Sequence, residues 1–163
     1  MRMSNQPSIE RRVQVGVIGG RDVSEKSLKD AETVGRLIAE RGAVLLCGGL
    51  GGVMEAACRG AKAGNGLTVG ILPSTDVQDA NPYVDIVIPT GLGIARNAVI
   101  IHASDGVIAV GGKYGTLSEM AFALQTGIPV VSLNSWDVDR QVVKAGTPGQ
   151  AVDRLFQHLS QKP

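Results

Sequence analysis

Two charged side chains in this sequence, Arg96 and Glu119, are placed where a ligand could be held or cleaved. Each follows a glycine-rich stretch and falls in the predicted first turn of a helix. An arginine can hold a phosphate through two parallel hydrogen bonds. A carboxylate beside it could stabilise positive charge on a ribose ring or orient a water, as carboxylates do in glycosidases. The pair therefore suits cleavage of an N-glycosidic bond.

A structural role without any ligand could also explain the positions of both residues. The helix dipole favours a glutamate in a first turn whatever its role, so Glu119 is equally compatible with a structural and a functional role. Arg96 is unfavourably placed for the dipole, which favours a ligand role. Thr116 is predicted to cap its helix and to line the site. His102 and His158 show no metal-ligand spacing, so no metal site is predicted.

Glycines form two clusters, Gly48–Met54 and Gly111–Glu119, each between an apolar run and a run of helical spacing. Glycine lets main-chain N–H groups approach a ligand closely, and a helix start adds unpaired donors and a positive dipole end. Two such turns in one small domain predict a phosphate-bearing ligand held between neighbouring loops. The glycines predicted to bind it are Gly48, Gly49, Gly51, Gly52, Gly111, Gly112 and Gly115, together with Gly19 and Gly20 after the first strand.

Short apolar runs alternate with helical spacing along the chain after residue 12. Strands are predicted at 13–18, 43–47, 67–72, 84–88, 106–110 and 129–133, with a short edge strand at 142–144. The intervening helices include 53–63, 95–103 and 147–159. This alternation predicts a three-layer α/β Rossmann-like fold, with a parallel sheet of six or seven strands and helices on both faces. Ligands bind such sheets at the carboxyl ends of the strands, where every glycine cluster falls.

The composition narrows the class of protein. Hydrophobic residues make up 44% of the 163 residues and aromatic residues only 3%, which predicts aliphatic strands buried on both faces. A net charge of +1 argues against nucleic acid as a partner, and no apolar run is long enough to span a membrane.

Residues 1–12 are predicted to be a disordered tail rather than a signal peptide, and residues 13–163 a single ligand-binding domain. Ten residues separate Cys47 from Cys58, and this pair fits neither a disulfide framework nor a zinc pattern. Buried free thiols in a reducing, cytoplasmic compartment are therefore expected.

Familiar cofactor signatures are missing. The first strand ends in Ile18-Gly19-Gly20-Arg21 without G-x-G-x-x-G, and no acidic residue ends the second strand, so NAD is not expected. The nucleoside triphosphate signature G-x-x-x-x-G-K-[ST] is absent as well. Only Lys113 could suggest pyridoxal phosphate, and it lies in a glycine turn, so PLP is not expected either.

Three segments carry a family resemblance: GGLGGVMEAACRGAKAGNGLTVGILP, GLGIARN and VIAVGGKYGTLSEMAFALQTGIPVV. They resemble the molybdenum cofactor carrier proteins and their bacterial relatives over about residues 13–159. Those carriers share a Rossmann-like fold with the LONELY GUY phosphoribohydrolases, often mislabelled lysine decarboxylases, and more distantly with a DNA-processing family. The resemblance implies a homodimer or homotetramer that holds a phosphorylated pterin, molybdenum cofactor, for molybdoenzyme partners. The residues it places in the cleft are Gly48, Gly49, Gly52, Val53, Met54, Gly91, Gly93, Arg96, Gly115, Thr116 and Glu119.

The sequence also departs from the phosphoribohydrolase pattern Pro-Gly-Gly-x-Gly-Thr-x-x-Glu. Val110 replaces the proline, and an extra residue lengthens the turn to include Lys113-Tyr114. The first turn, between Gly49 and Gly52, is one residue shorter than in the algal carrier. A displacement of about 1 Å can cost on the order of 100-fold in rate. The sequence thus favours a carrier of molybdenum cofactor, with a nucleoside 5′-monophosphate phosphoribohydrolase, using Arg96 and Glu119, as the alternative.

Overall fold

The computed structural model describes residues 10–161, which form one seven-stranded parallel sheet with the order β4-β3-β2-β1-β5-β6-β7. The strands are β1 (Gln14–Gly19), β2 (Val44–Cys47), β3 (Thr68–Leu72), β4 (Ile86–Pro89), β5 (Gly106–Val110), β6 (Val130–Leu133) and β7 (Val143–Ala145). The predicted parallel sheet of six or seven strands is confirmed.

Within residues 10–161, five α-helices cover the sheet: α1 (Glu25–Glu40), α2 (Val53–Ala63), α3 (Arg96–His102), α4 (Tyr114–Gln125) and α5 (Pro148–Ser160). One apolar cluster joins α1, α2 and α5 to one face of the sheet, and a second joins α3 and α4 to the other. The arrangement is the three-layer α/β Rossmann-like fold that the alternating pattern predicted.

Aliphatic side chains fill both faces of the central strands. Every residue of β2, β3, β5 and β6 is buried. The edge strand β4 differs, because its residues are exposed or half-buried. A strand covered on both faces needs apolar side chains at every position, which explains why these runs do not alternate.

The strand order reverses between the neighbouring strands β1 and β5. Strands β2, β3 and β4 follow one another outward from β1 on one side, and β6 and β7 follow outward from β5 on the other. The connections leaving β1 and β5 therefore diverge and open a crevice at the carboxyl edge, the usual ligand position in such sheets.

Most predicted boundaries agree with the structure to within one or two residues. The bounds of α2 and β5 coincide with those predicted, whereas β4 begins two residues late, at Ile86. Residues 1–9 of the predicted tail lie outside the described residues, and residues 10–12 have no regular structure. Within residues 10–161, no helix is long and apolar enough to cross a bilayer.

Candidate functional site

A cavity of about 500 Å³ lies at the carboxyl edge of the sheet, at the β1–β5 crevice. Its lining comes from the ends of β1, β2 and β3 and from the starts of α2, α3 and α4. The volume falls in the range of about 300–1,000 Å³ that is common for small-molecule sites. The cavity is therefore the candidate ligand site.

The first glycine turn packs against the turn that follows β1. Gly52 has φ = 67°, and a Cβ built there would lie 2.4 Å from Arg21 Cα. The Val53 N–H donates to the Gly20 carbonyl at 3.0 Å, so one donor of this helix start is already used. Only glycine permits both this backbone conformation and this close approach.

The second glycine turn leads into α4 without a capping side chain. Gly112 has φ = 98°, and a Cβ there would lie 2.1 Å from Thr116 Oγ1. No side chain caps the first turn of α4 or that of α2, whereas Ser24 caps α1 and Thr147 caps α5. The uncapped N–H groups at the start of α4 border the cavity and are available to an anion.

Arg96 is a buried residue, 8% exposed, at the first position of α3. Its Nη1 donates to the carbonyl oxygens of Gly48 at 2.7 Å and of Ile71 at 2.8 Å. Burial lowers the pKa of Arg96 from its ordinary value, while the charge of Glu119 opposes this shift. Within residues 10–161, Arg96 Nε is the one buried side-chain N or O atom without a hydrogen-bond partner.

Glu119 is a buried residue, 7% exposed, and lines the same cavity. Burial raises the pKa of Glu119 to about 8, although the positive charge of Arg96 opposes the shift. Glu119 is therefore mostly protonated at neutral pH, and the cavity then carries little negative charge at this position.

Further charges lie at the mouth of the cavity. Arg21, Asp22 and Lys113 also line it, and Lys113 Nζ lies 3.6 Å from Asp22 Oδ2 in an exposed pair. With Glu119 protonated, three basic side chains (Arg21, Arg96 and Lys113) and one carboxylate (Asp22) line the cavity. Such a balance favours an anionic ligand.

The structure brings most of the predicted site residues to the cavity. Those that line it are Gly19, Gly20, Gly48, Met54, Gly93, Arg96, Gly115, Thr116 and Glu119. The others belong to the same turns and helix starts but do not line the cavity: Gly49, Gly51, Gly52, Val53, Gly91, Gly111 and Gly112.

Sequence reasoning did not assign nine residues that also line the cavity: Val17, Ile18, Arg21, Asp22, Leu50, Pro73, Ile94, Asn97 and Lys113. Most of them lie immediately beyond the carboxyl end of a strand or beside a predicted site residue. Their position in the sequence is the feature that could have identified Arg21, Asp22 and Asn97 as site residues.

Two local expectations were wrong. Glu119 was placed in the first turn of its helix, but α4 begins at Tyr114, so Glu119 lies in the second turn. Thr116 does not cap α4; it is a buried residue inside the first turn. The helix begins within the lengthened turn, with Lys113 at the cap position and no capping bond from its side chain.

These features define a Rossmann-like protein with a small-molecule cavity at its topological switch point. The SLOG cluster4 family profile matches residues 12–160, and the chain belongs to this family. A protein of Archaeoglobus fulgidus, described only as uncharacterized, is 49% identical over 141 residues, which are 86% of this chain and 93% of that protein.

Solved structures of molybdenum cofactor proteins share the fold. The molybdenum cofactor binding protein of Rippkaea orientalis is 41% identical, with a TM-score of 0.87 over 91% of this chain and 98% of that chain. The Moco carrier protein of Chlamydomonas reinhardtii is 35% identical, with a TM-score of 0.86 over 93% and 100%. The resemblance to the carrier proteins is confirmed.

Proposed function

We propose that this protein binds and carries molybdenum cofactor, a phosphorylated pterin, in the cavity at the β1–β5 crevice. The observation that carries the proposal is the convergence of two uncapped helix starts, those of α2 and α4, on one cavity with basic side chains. The likeness to proteins described as molybdenum cofactor binding and carrier proteins supports the same ligand.

The residues present fit such a ligand. The start of α4 near Gly115 and Thr116 offers free N–H donors, and Lys113 lies beside it, so this end suits the phosphate. The remaining volume is lined by apolar surfaces such as Met54 and Ile94, which suit a flat heterocycle. When bound, the cofactor would supply the molybdenum centre that the carrier delivers to molybdenum enzymes.

The alternative is hydrolysis of a nucleoside 5′-monophosphate, and the shared cavity of Arg96 and Glu119 is the observation that favours it. Two features weaken it. A carboxyl group protonated at neutral pH supplies no negative charge to a developing oxocarbenium ion. Moreover, Arg96 Nη1 is already bonded to two main-chain carbonyls, which leaves fewer donors for a phosphate clamp.

The decisive experiment compares cofactor retention with base release. Purified protein is incubated with molybdenum cofactor and passed through gel filtration, and molybdenum and pterin are quantified in the protein fraction. The same preparation is incubated with AMP, and free adenine is measured by chromatography. We expect co-elution of cofactor with the protein and adenine release at the level of the buffer blank.

A Glu119→Gln variant separates the two functions, because it removes the ionisable group and preserves its shape. A carrier should retain the cofactor in this variant and show no turnover with or without the substitution. Catalytic adenine release that disappears in Glu119→Gln would establish the hydrolase and overturn the carrier assignment.

We further propose that the chain forms a homodimer or homotetramer through the α3/α4 layer. Ile86 and Ile88 pair in register with Val69 and Ile71, whose side chains belong to the apolar cluster of that layer, yet both remain exposed on β4. Further exposed apolar side chains of this layer and the segment before it are Leu92, Ile94, Val99 and Phe122. Several large apolar side chains exposed on one layer are typical of a protein interface.

A further inference from the structure

Two thiols lie beneath the first glycine turn. Cys47 is the last residue of β2 and Cys58 lies in α2, and both side chains are fully buried. Their sulfur atoms are 3.4 Å apart, within hydrogen-bond distance. Ten residues separate them in the chain, and this intervening segment contains the whole Gly48–Gly52 turn.

The two sulfurs are not equivalent. The Gly49 N–H donates to Cys47 Sγ at 3.3 Å, and either thiol can donate to the other sulfur. The bond from Cys58 lowers the pKa of Cys47, against the effect of burial, whereas that bond and burial both raise the pKa of Cys58. Cys47 is therefore the sulfur that reaches the nucleophilic thiolate state more readily.

We propose that Cys47 and Cys58 form a redox modification site, in which a small peroxide oxidises the pair to a disulfide and thereby alters the Gly48–Gly52 turn. The Cys47 thiolate attacks one peroxide oxygen, the O–O bond breaks and hydroxide leaves, which gives a sulfenic acid. The Cys58 sulfur then attacks Cys47 Sγ, the S–O bond breaks and water leaves. In total, two thiols and hydrogen peroxide give one disulfide and two waters.

The cavity supplies a route for such an oxidant. Gly48, the residue directly after Cys47, lines the cavity. Arg96 also lines the cavity and donates to the Gly48 carbonyl at 2.7 Å, so the main chain next to Cys47 forms part of the cavity wall. Hydrogen peroxide is about the size of a water pair, so a brief local opening of the turn would admit it.

Bond formation must bring the two sulfur atoms closer together. A disulfide has an S–S length of about 2.05 Å, so the sulfurs must approach by about 1.4 Å from their separation of 3.4 Å. Cys47 is fixed by its pairing with Gly70 in the sheet. Helix α2 is held against α1, because a Cβ at Gly60 would lie 1.8 Å from the Glu32 carbonyl oxygen. Backbone movement that accompanies bond formation therefore falls on the segment between them.

That segment is connected to the ligand side of the cavity. Oxidation changes the sulfur that accepts from the Gly49 N–H. Asn81 donates to the carbonyls of Gly49 and Leu50, at 2.8 and 2.9 Å. The Gly48 carbonyl accepts from Arg96. The disulfide can form whether or not the proposed ligand binds. We also expect oxidation to weaken cofactor binding, and this second expectation rests on the proposed function.

The test treats the folded full-length chain with hydrogen peroxide and measures intact mass, free thiols and hydrogen exchange of peptides covering 48–54. We expect a loss of two hydrogens per chain, reversed by dithiothreitol. Exchange in 48–54 should become about fivefold faster, which corresponds to one lost hydrogen bond of about 1 kcal/mol. A matched Cys58→Ala chain should show neither change.

Each other outcome is informative. Disulfide formation only after unfolding in urea, or a sulfinic acid in place of the disulfide, overturns the modification site. A disulfide with unchanged exchange in 48–54 overturns its coupling to the turn. If the reduced chain does not retain molybdenum cofactor, the proposed function fails, while mass and exchange still decide this proposal. If the reduced chain does retain molybdenum cofactor, the oxidised chain should retain at least fivefold less of it.

Discussion

Arg96 Nη1 donates to the main-chain oxygen of Gly48 at 2.7 Å, which ties the start of α3 to the end of β2. The same nitrogen donates to Ile71 in β3 at 2.8 Å. Arg96 thus joins three elements at the cavity wall, and its charge is held in place by protein groups before any ligand arrives. Arg96, for which the sequence favoured a ligand role, therefore also stabilises the site.

Replacing Arg96 with lysine should destabilise the fold as well as weaken ligand binding. Lysine cannot reproduce the paired geometry, and hydrogen bonds from charged groups contribute about 1.5–3 kcal/mol each, so we expect a loss of about 3 kcal/mol. Urea denaturation monitored by circular dichroism measures it. The control Arg36→Lys, at an exposed arginine paired with Glu40, should change stability by about 0.5 kcal/mol or less. Wild-type stability in Arg96→Lys would contradict the structural role.

Glu119 should make the protein less stable as the pH rises. Its pKa is about 8 in the folded chain and 4.5 in its ordinary state, so between these values the folded state binds the additional proton. The free energy of unfolding then falls with pH, by up to about 1.4 kcal/mol per pH unit, and the penalty is complete above pH 8.

The Glu119→Gln variant isolates this contribution because glutamine does not titrate. Stability measured by urea denaturation from pH 5 to pH 9 should fall less steeply in the variant than in the wild type. Parallel pH profiles for the two proteins would show that Glu119 is ionised normally in the folded state.

Much of the fold could be predicted because its signals are local. Buried aliphatic runs specify β2, β3, β5 and β6, and glycines mark the turns at their carboxyl ends. The topological rules for parallel sheets then place those ends along one edge. The start of β4 was less predictable, since an edge strand is held on one side alone and its pattern is weaker.

The hydrogen bonds within the site and the start of α4 were not predictable in this way. The bonds from Arg96 to Gly48 and Ile71 join residues far apart in the chain, and no local pattern encodes them. Likewise, the turn length alone could not show that α4 begins at Tyr114 and carries Glu119 in its second turn. Such details depend on tertiary packing, which overrides local helix signals.

An acidic substitution in the exposed apolar face should disrupt the proposed oligomer. Phe122 lies in α4, 45% exposed, so Phe122→Glu should leave the fold intact while placing a charge in the interface. Light scattering after gel filtration should give a dimer or tetramer for the wild type and the monomer mass of 16.9 kDa for the variant. The control Gln157→Glu on α5, in the opposite layer, should behave as the wild type. A wild-type monomer would exclude the interface.

A side chain at Gly115 should block anion binding without unfolding the protein. Gly115 is the second residue of α4 and lines the cavity, and a Cβ there would meet no atom within 4 Å. Valine at this position would project into the space that a phosphate needs in order to reach the free N–H groups. We expect at least about tenfold weaker retention of molybdenum cofactor, which corresponds to about 1.4 kcal/mol.

Gly149→Val provides the matched control for Gly115→Val. Gly149 is the second residue of α5, it is also free of atoms within 4 Å of an added Cβ, and it does not line the cavity. Both variants should keep the wild-type circular dichroism spectrum, and their melting temperatures should agree within a few degrees, since each adds the same side chain at the same helical position. Only Gly115→Val should lose the cofactor in equilibrium dialysis. Equal retention by the two folded variants would show that the phosphate does not bind at the start of α4.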